Sequence, residues 1–435
     1  MLHRGRVVQT GRLTGTANSK LIFERDAVTR HNLNGLDERQ QFDASFVLND
    51  MAGAPCVHSF IGDQAVVFNM DHDDVRQLIA RYQDSIAAIT ENPEAFSGLR
   101  SPGTVKLLRD LAAKGARFRE TLHTEFFNGS RFTRPEYIQV VSAQSGKLLP
   151  IEFAYDHEVP RQSAQLCPQA EQSLKDGRCG PGCPSLESDP RVMRDYICPL
   201  GFWGMRAVIE RPKLKPEHSL LHGSFALSPE PVSARDQVIS PLRQLLCAAS
   251  NQANNATPTT VESMWKRIRQ RVDDGEKVEN WSDWEAEINK RNPSLLALLV
   301  HQEPDSAGTP EIYIGAGDAL NSDNLYEEFV RTRETDHPVV LLIGCEVSVS
   351  ELSYESLVAL FQKRGASIVV GSLGRVLGRE AGPLMAELVD SFSRVTEPSS
   401  VGVILRDLRC KMLAEGNPTV LTLTGIGDAD WQITA

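Results

Sequence analysis

The chain has no uninterrupted apolar run of about 18 residues, and its first residues lack the apolar segment of an export signal. Neither membrane spanning nor secretion is therefore expected, and the cytoplasm is the expected location. Positive charge is in deficit too: 46 Lys and Arg stand against 57 Asp and Glu, a formal net charge of −11. Without a basic surface, direct nucleic-acid binding and adhesion to anionic membranes are not expected. Several catalytic signatures are missing. The GlyAlaGlyAsp segment at Gly315 lacks the lysine and hydroxyl residue of a phosphate loop, and no Gly-x-Ser-x-Gly elbow occurs. No repeat of fixed period is found.

What is present is enough for two or three domains: 435 residues, 41% of them hydrophobic. Val75 to Ile89 and Val105 to Leu122 carry apolar residues at three- and four-residue steps, which predicts a helical hairpin. Tyr137 to Val141 reads as a strand, and Leu148 to Asp156 as a strand or strand–helix junction. Residues 213 to 240, rich in Pro, Ser and His, read as a linker. Beyond them strands and helices alternate. Strands are expected at 245–250, near 278, and at 295–300, 311–315, 366–371 and 419–423, with one more inside 337–347 that stops at Gly344. Helices are expected at 261–272, 282–288 and 353–364, from Glu380, and near Arg406. That order predicts a mostly parallel sheet covered on both faces, with Trp281 and Trp284 as packing residues.

Two buried strands end on chemically useful side chains. HisProValValLeuLeuIleGlyCysGluVal, His337 to Val347, carries Cys345, and LeuLeuAlaLeuLeuVal, Leu295 to Val300, runs into His301. Each is expected one step past its strand, at the carboxyl edge of the sheet, where open α/β folds place their ligands. If the strands are parallel neighbours, a thiol and a base meet there. The competing reading is a buried small cysteine and a satisfied histidine.

The eight cysteines, in a chain expected to stay in a reducing compartment, read as metal ligands, a nucleophile and buried small residues rather than as a disulfide set. Cys167, Cys179, Cys183 and Cys198 are separated by eleven, three and fourteen residues, and the CysGlyProGlyCys knuckle lets two thiols turn to one point. Four thiolates would close a tetrahedral structural zinc site. The alternative is a loop with unrelated cysteines, and His157 is a candidate substitute ligand.

The segments Val339 to Val347, Gly365 to Leu377 and Gly416 to Trp431, in that order and spacing, resemble the CHAT family of caspase-like cysteine peptidases, which sits with separases and caspases in one clan. LeuLeuProIleGluPheAlaTyrAsp, Leu148 to Asp156, is similar to the segment that precedes the catalytic half in that family. The resemblance covers roughly residues 135 to 435. It implies a caspase-like α/β domain at 235–435, a preceding pseudo-protease-like α/β subdomain at 131–234 with the cysteine-rich insertion, and a helical N-terminal region at 1–130.

The implied activity is peptide hydrolysis by a Cys345 nucleophile and a His301 base, with no catalytic cofactor. Gly344 would keep the chain open beside the thiol, and the amides of Cys345 and Gln302 are candidate oxyanion donors. The family usually has glycine where Gln302 stands; an N–H survives that change, but not glycine's backbone freedom. Asp305, Asp318 and Glu346 are candidates for selecting Arg or Lys before the cut, against a reading of each as an exposed loop acid. The resemblance further implies a bacterial protein with a protein substrate and a regulatory or sensor partner. Two other classes compete: a zinc-stapled caspase-like scaffold that binds a client without cutting it, which Gln302 favours, and a thiol amidohydrolase of small molecules.

Overall fold

The computed structural model describes residues 2–14, 22–28, 40–49, 56–61, 64–69, 72–124, 134–142, 149–187, 189–212, 238–239, 244–255, 258–333, 336–347, 353–372, 376 and 378–434. Residues 213–237 of the expected linker lie outside them.

The larger sheet is built on the two strands singled out above. Leu295–Pro304 and Val339–Val347 are parallel neighbours at its centre. Gln244–Ala249 and Asp274–Val278 extend the sheet on one side. Ile368–Ser372 extends it in parallel on the other, and the antiparallel Leu423–Gly427 closes that edge. Consecutive residues alternate between two cores, as strand geometry demands. Leu295, Ala297 and Leu299 enter one with Met264, Leu384 and Leu388, and Leu296, Leu298 and Val300 enter the other with Trp284, Ile288 and Phe361. These strand residues are essentially inaccessible, and each large one contributes about 1.5–3 kcal/mol by burial. Burial on both faces explains why the strands read as unbroken apolar runs.

Helices cover both faces: Thr260–Arg269, Gly378–Ser393 and Val401–Ala414 line the first core, and Trp281–Arg291 and Ser353–Lys363 the second. Trp281 and Trp284 are buried packing residues whose indole N–H groups donate to the carbonyls of Ile312 and Phe329.

A second sheet of five strands has the order Val208–Glu210, Tyr137–Ser142, Ala44–Asn49, Cys56–Ile61, Gln64–Asn69, the first three parallel and the last two antiparallel. It draws strands from both sides of residue 130. The expected hairpin is present as His72–Glu91 and Pro102–Thr124. Among the described residues one bridge joins the two sheets edge to edge, in which the Gly427 N–H donates to the Arg211 carbonyl at 2.7 Å.

Three local expectations are corrected. Residues 418–422 form a 3-10 turn and the strand begins at Leu423, because Pro418 opens the turn and the Asn417 side chain accepts from the Thr419 amide. Ile151–Phe153 is likewise a 3-10 turn. Neither histidine nor cysteine lies past its strand: the first strand continues to Pro304 and the second to Val347. The polar GlnGluPro tail stays extended because a hairpin, Pro310–Ile314 with Asp318–Asn321, pairs with it antiparallel.

Candidate active site

The parallel register pairs Val300 with Gly344, then slips, and resumes with Gln302 opposite Val347. One residue of the first strand, His301, is therefore faced by two of the second, Cys345 and Glu346. Such a bulge kinks a strand and re-aims what it carries, and bulges concentrate beside active sites. The described part of Cys345 and Glu346 is their backbone, which brings the α-carbons of the thiol and imidazole residues to adjacent positions in the sheet.

His301 itself is 1% exposed. Its Nε2 lies 2.7 Å from Glu303 Oε1, and its Nδ1 has no hydrogen-bond partner among the described residues. A buried, unpartnered ring nitrogen costs about 1–3 kcal/mol, so its retention points to a task. Tyr313 stands opposite His301 in the hairpin, ring centroids 6.0 Å apart, and its hydroxyl donates to Glu311. That hydrogen bond, then burial, then the nearby Glu311, Glu303 and Asp305 charges push the Tyr313 phenol up to about 12. Gln302 is buried within the strand, and its side-chain oxygen has no partner among the described residues.

Two of the three candidate pocket acids, Asp305 and Asp318, are engaged in the framework. Asp305 Oδ1 accepts from the Ala307 and Thr309 amides at 2.8 Å and Oδ2 from Asn321, closing the turn before the hairpin. Asp318 Oδ2 accepts from the Trp281 amide at 2.6 Å, at the start of a helix. The residues beside the imidazole instead are Glu303 and Tyr313, with Glu311 behind them on the Tyr313 hydroxyl. Glu303 was legible in the sequence, because a residue two positions along a strand shares its face. Tyr313 and Glu311 depend on a hairpin register that the sequence did not declare.

Gly315 is explained by this hairpin. Its φ is +55°, and a Cβ there would fall 1.9 Å from the Glu279 carbonyl oxygen, so only glycine fits. Its N–H donates to Ala249 and its carbonyl accepts from Asn251, which pins the hairpin to the neighbouring strand end.

The cysteine-rich insertion forms a second centre. Sγ atoms of Cys179, Cys183 and Cys198 all lie within 4.8 Å of one another, a group that could hold a metal ion. Cys179 and Cys198 are 3.7 Å apart, and Cys167 lies 3.6 Å from Cys183. A zinc–sulfur length of about 2.3 Å sets tetrahedral sulfurs about 3.8 Å apart, which matches both separations. Gly182, at φ +81°, turns the knuckle between Cys179 and Cys183. Hydrogen bonding from Cys198 draws the Cys183 thiol down to about 4 and lowers that of Cys179, while the same bonds raise Cys198 well above its ordinary value. Burial pushes Cys167 up to about 12. A bound cation would relieve that conflict by favouring the thiolate at every ligand. His157 stands apart from the group, edge-on to Tyr155.

The insertion is not a free flap. Cys167, Leu174, Cys183 and Cys198 belong to the same core as the large sheet, and helix Ala170–Asp176 packs on helix Val401–Ala414. Cys247 and Cys410 are inert by comparison: both are buried thiols raised to about 12 by burial.

No family model matches the chain, and no curated protein matches it.

Proposed function

We propose that the chain is a caspase-like cysteine endopeptidase in which His301 is the base and Cys345 the nucleophile. The observation that carries the reading is the slipped parallel register that sets one histidine against the Cys345–Glu346 backbone at the centre of the sheet. The thiol proton passes to the imidazole, the thiolate attacks a peptide carbonyl, and water hydrolyses the resulting thioester. Acid–base help of this kind is typically worth about 10²- to 10⁴-fold. The amides of Cys345 and Gln302 are the oxyanion candidates beside Gly344. The expected partners are a protein substrate and a regulatory protein.

The cysteine group is proposed as a structural zinc site of Cys167, Cys179, Cys183 and Cys198; the mutually close sulfurs of Cys179, Cys183 and Cys198 support three of the ligands, and Cys167, outside that group but 3.6 Å from Cys183, is the fourth candidate. Zinc would hold the insertion in its folded form, and the peptidase step does not use it.

Peptidyl acyloxymethyl ketones ending in Arg, Lys, Leu or Asp test the reading. One adduct on Cys345, absent from His301→Ala, is expected on peptide mapping. Alkylation of Cys345 by a small reagent, with no peptidyl adduct under any activating condition, would support the non-cutting scaffold instead.

A further inference from the structure

This inference rests on the cysteine-peptidase reading above and concerns a side chain which that reading leaves unused. His301 and Glu303 leave the same face of their strand, and Glu303 Oε1 meets His301 Nε2 at 2.7 Å. Across the hairpin the register sets Glu311 directly opposite Glu303. Like charges so opposed are destabilising. Each carboxylate here turns to a donor, Glu303 to the imidazole and Glu311 to the Tyr313 hydroxyl. The arrangement keeps one acid on the histidine and a second opposite that acid in the ladder, at a cost in sheet stability, while Nδ1 stays buried and unpartnered among the described residues.

We infer that Glu303 is a positioning residue that holds the proton of His301 on Nε2 and leaves the Nδ1 lone pair as the base for Cys345. An imidazole nitrogen that donates to a carboxylate keeps its hydrogen, so the other nitrogen must be the acceptor. When the thiol S–H breaks, its proton goes to Nδ1 and the sulfur pair bonds to the carbonyl carbon. The imidazolium then returns that proton to the amine nitrogen as the C–N bond breaks. Glu303 keeps accepting from the Nε2–H throughout and steadies the cation. Its side chain is 58% exposed, so solvent screens it, and a loss of about tenfold is expected on its removal.

Long-range 1H–15N spectra of the full chain labelled with 15N-histidine report the tautomer directly, with the His301 signals identified by their loss in His301→Gln. The wild type should carry its hydrogen on Nε2. Glu303→Gln, whose amide oxygen still accepts, should retain that form, and Glu303→Ala should show a mixture. Modification of Cys345 by the preferred peptidyl acyloxymethyl ketone should slow about tenfold in Glu303→Ala and largely recover in Glu303→Gln. A wild-type histidine protonated on Nδ1, or a spectrum unchanged in Glu303→Ala, would overturn the inference. Should the tautomer follow Glu303 while no peptidyl reagent labels the wild type, the positioning role stands and the peptidase reading falls.

Discussion

Arg6 and Glu210, 204 residues apart, are joined by two hydrogen bonds of 2.7 and 3.0 Å in the protein interior. Both side chains are buried, and Gln139 and the Ala429 amide also donate to Glu210 while Arg6 reaches Asp430 at 3.0 Å. The cluster ties an N-terminal strand to an edge of the five-stranded sheet and to residues near 430. Removing one member strands the other's charge. Arg6→Met should lower stability by about 3–5 kcal/mol, read as a shift in urea midpoint at unchanged slope. Arg6→Met combined with Glu210→Gln should recover part of that loss; no recovery would mean that Arg6 acts through packing on Phe42 instead.

Metal content gives a second prediction. Purified protein should contain one zinc per chain by plasma mass spectrometry. Cys179→Ala, Cys183→Ala and Cys198→Ala should lose it and melt at lower temperature, whereas Cys247→Ala and Cys410→Ala should keep it. Cys167→Ala separates a four-sulfur site from a three-sulfur site: retained zinc would assign the fourth position to another ligand. Chelation of the wild type should lower Tm, since binding energy at such sites is folding energy.

Burial draws His157 down to about 4 from an ordinary 6.5, assisted by Arg134, Arg119 and Arg206 and opposed by Asp156. Between those values the unfolded chain binds a proton that the folded chain refuses, so stability is fully present above pH 6.5 and falls as the pH drops towards 4. The loss attributable to this one group is up to about 3 kcal/mol. Urea unfolding at pH 7 and pH 5 should show a smaller difference for His157→Gln than for the wild type.

Asp305 and Asp318 offer a test between pocket and framework. Since their carboxylates accept backbone hydrogens, Asp305→Ala and Asp318→Ala should each cost about 1 kcal/mol, as lost caps do. The relative labelling by Arg, Lys, Leu and Asp reagents should stay as in the wild type. A switch in preference would return these acids to the pocket.

Gly315→Ala should be among the most damaging single substitutions in the hairpin, because the added carbon meets backbone rather than a flexible side chain. The expected outcome is a loss of Tm together with slower peptidyl labelling, as Tyr313 and the hairpin shift against His301.

The sequence carried the architecture of the larger sheet because its strands announce themselves. Leu295 to Val300 and Val339 to Ile343 are buried on both faces, so apolar character alone marks them. The two helices of the hairpin are legible through their three- and four-residue periods, and those expected at 261–272, 282–288, 353–364 and near Arg406 through their alternation with the strands. The site was legible in one dimension only. His301 and Cys345 stood out as functional groups at the ends of buried runs, yet the continuation to Pro304 was hidden, because Gln302, Glu303 and Pro304 are poor strand formers held extended by a partner hairpin. Asp318, in sequence a pocket candidate or an exposed loop acid, opens the strand Asp318–Asn321 and accepts from the amide at the start of a helix. The turn at Pro418 was read as strand since ThrValLeuThrLeu has strand composition; a side-chain cap from Asn417 decided otherwise. Tertiary pairing, which no local pattern records, made each of these choices.

The bridge between Arg211 and Gly427 sets the rims of the two sheets side by side. Two open sheets present their inner rims to each other, and an open rim is a template on which foreign strands can grow. Each half of the molecule is thus the other's guard. Severing the chain between the halves would bare two such rims at once, together with the core that the insertion shares with the large sheet, and the expected fate of the separated pieces is polymerisation, read as loss of the monomer peak in size-exclusion chromatography.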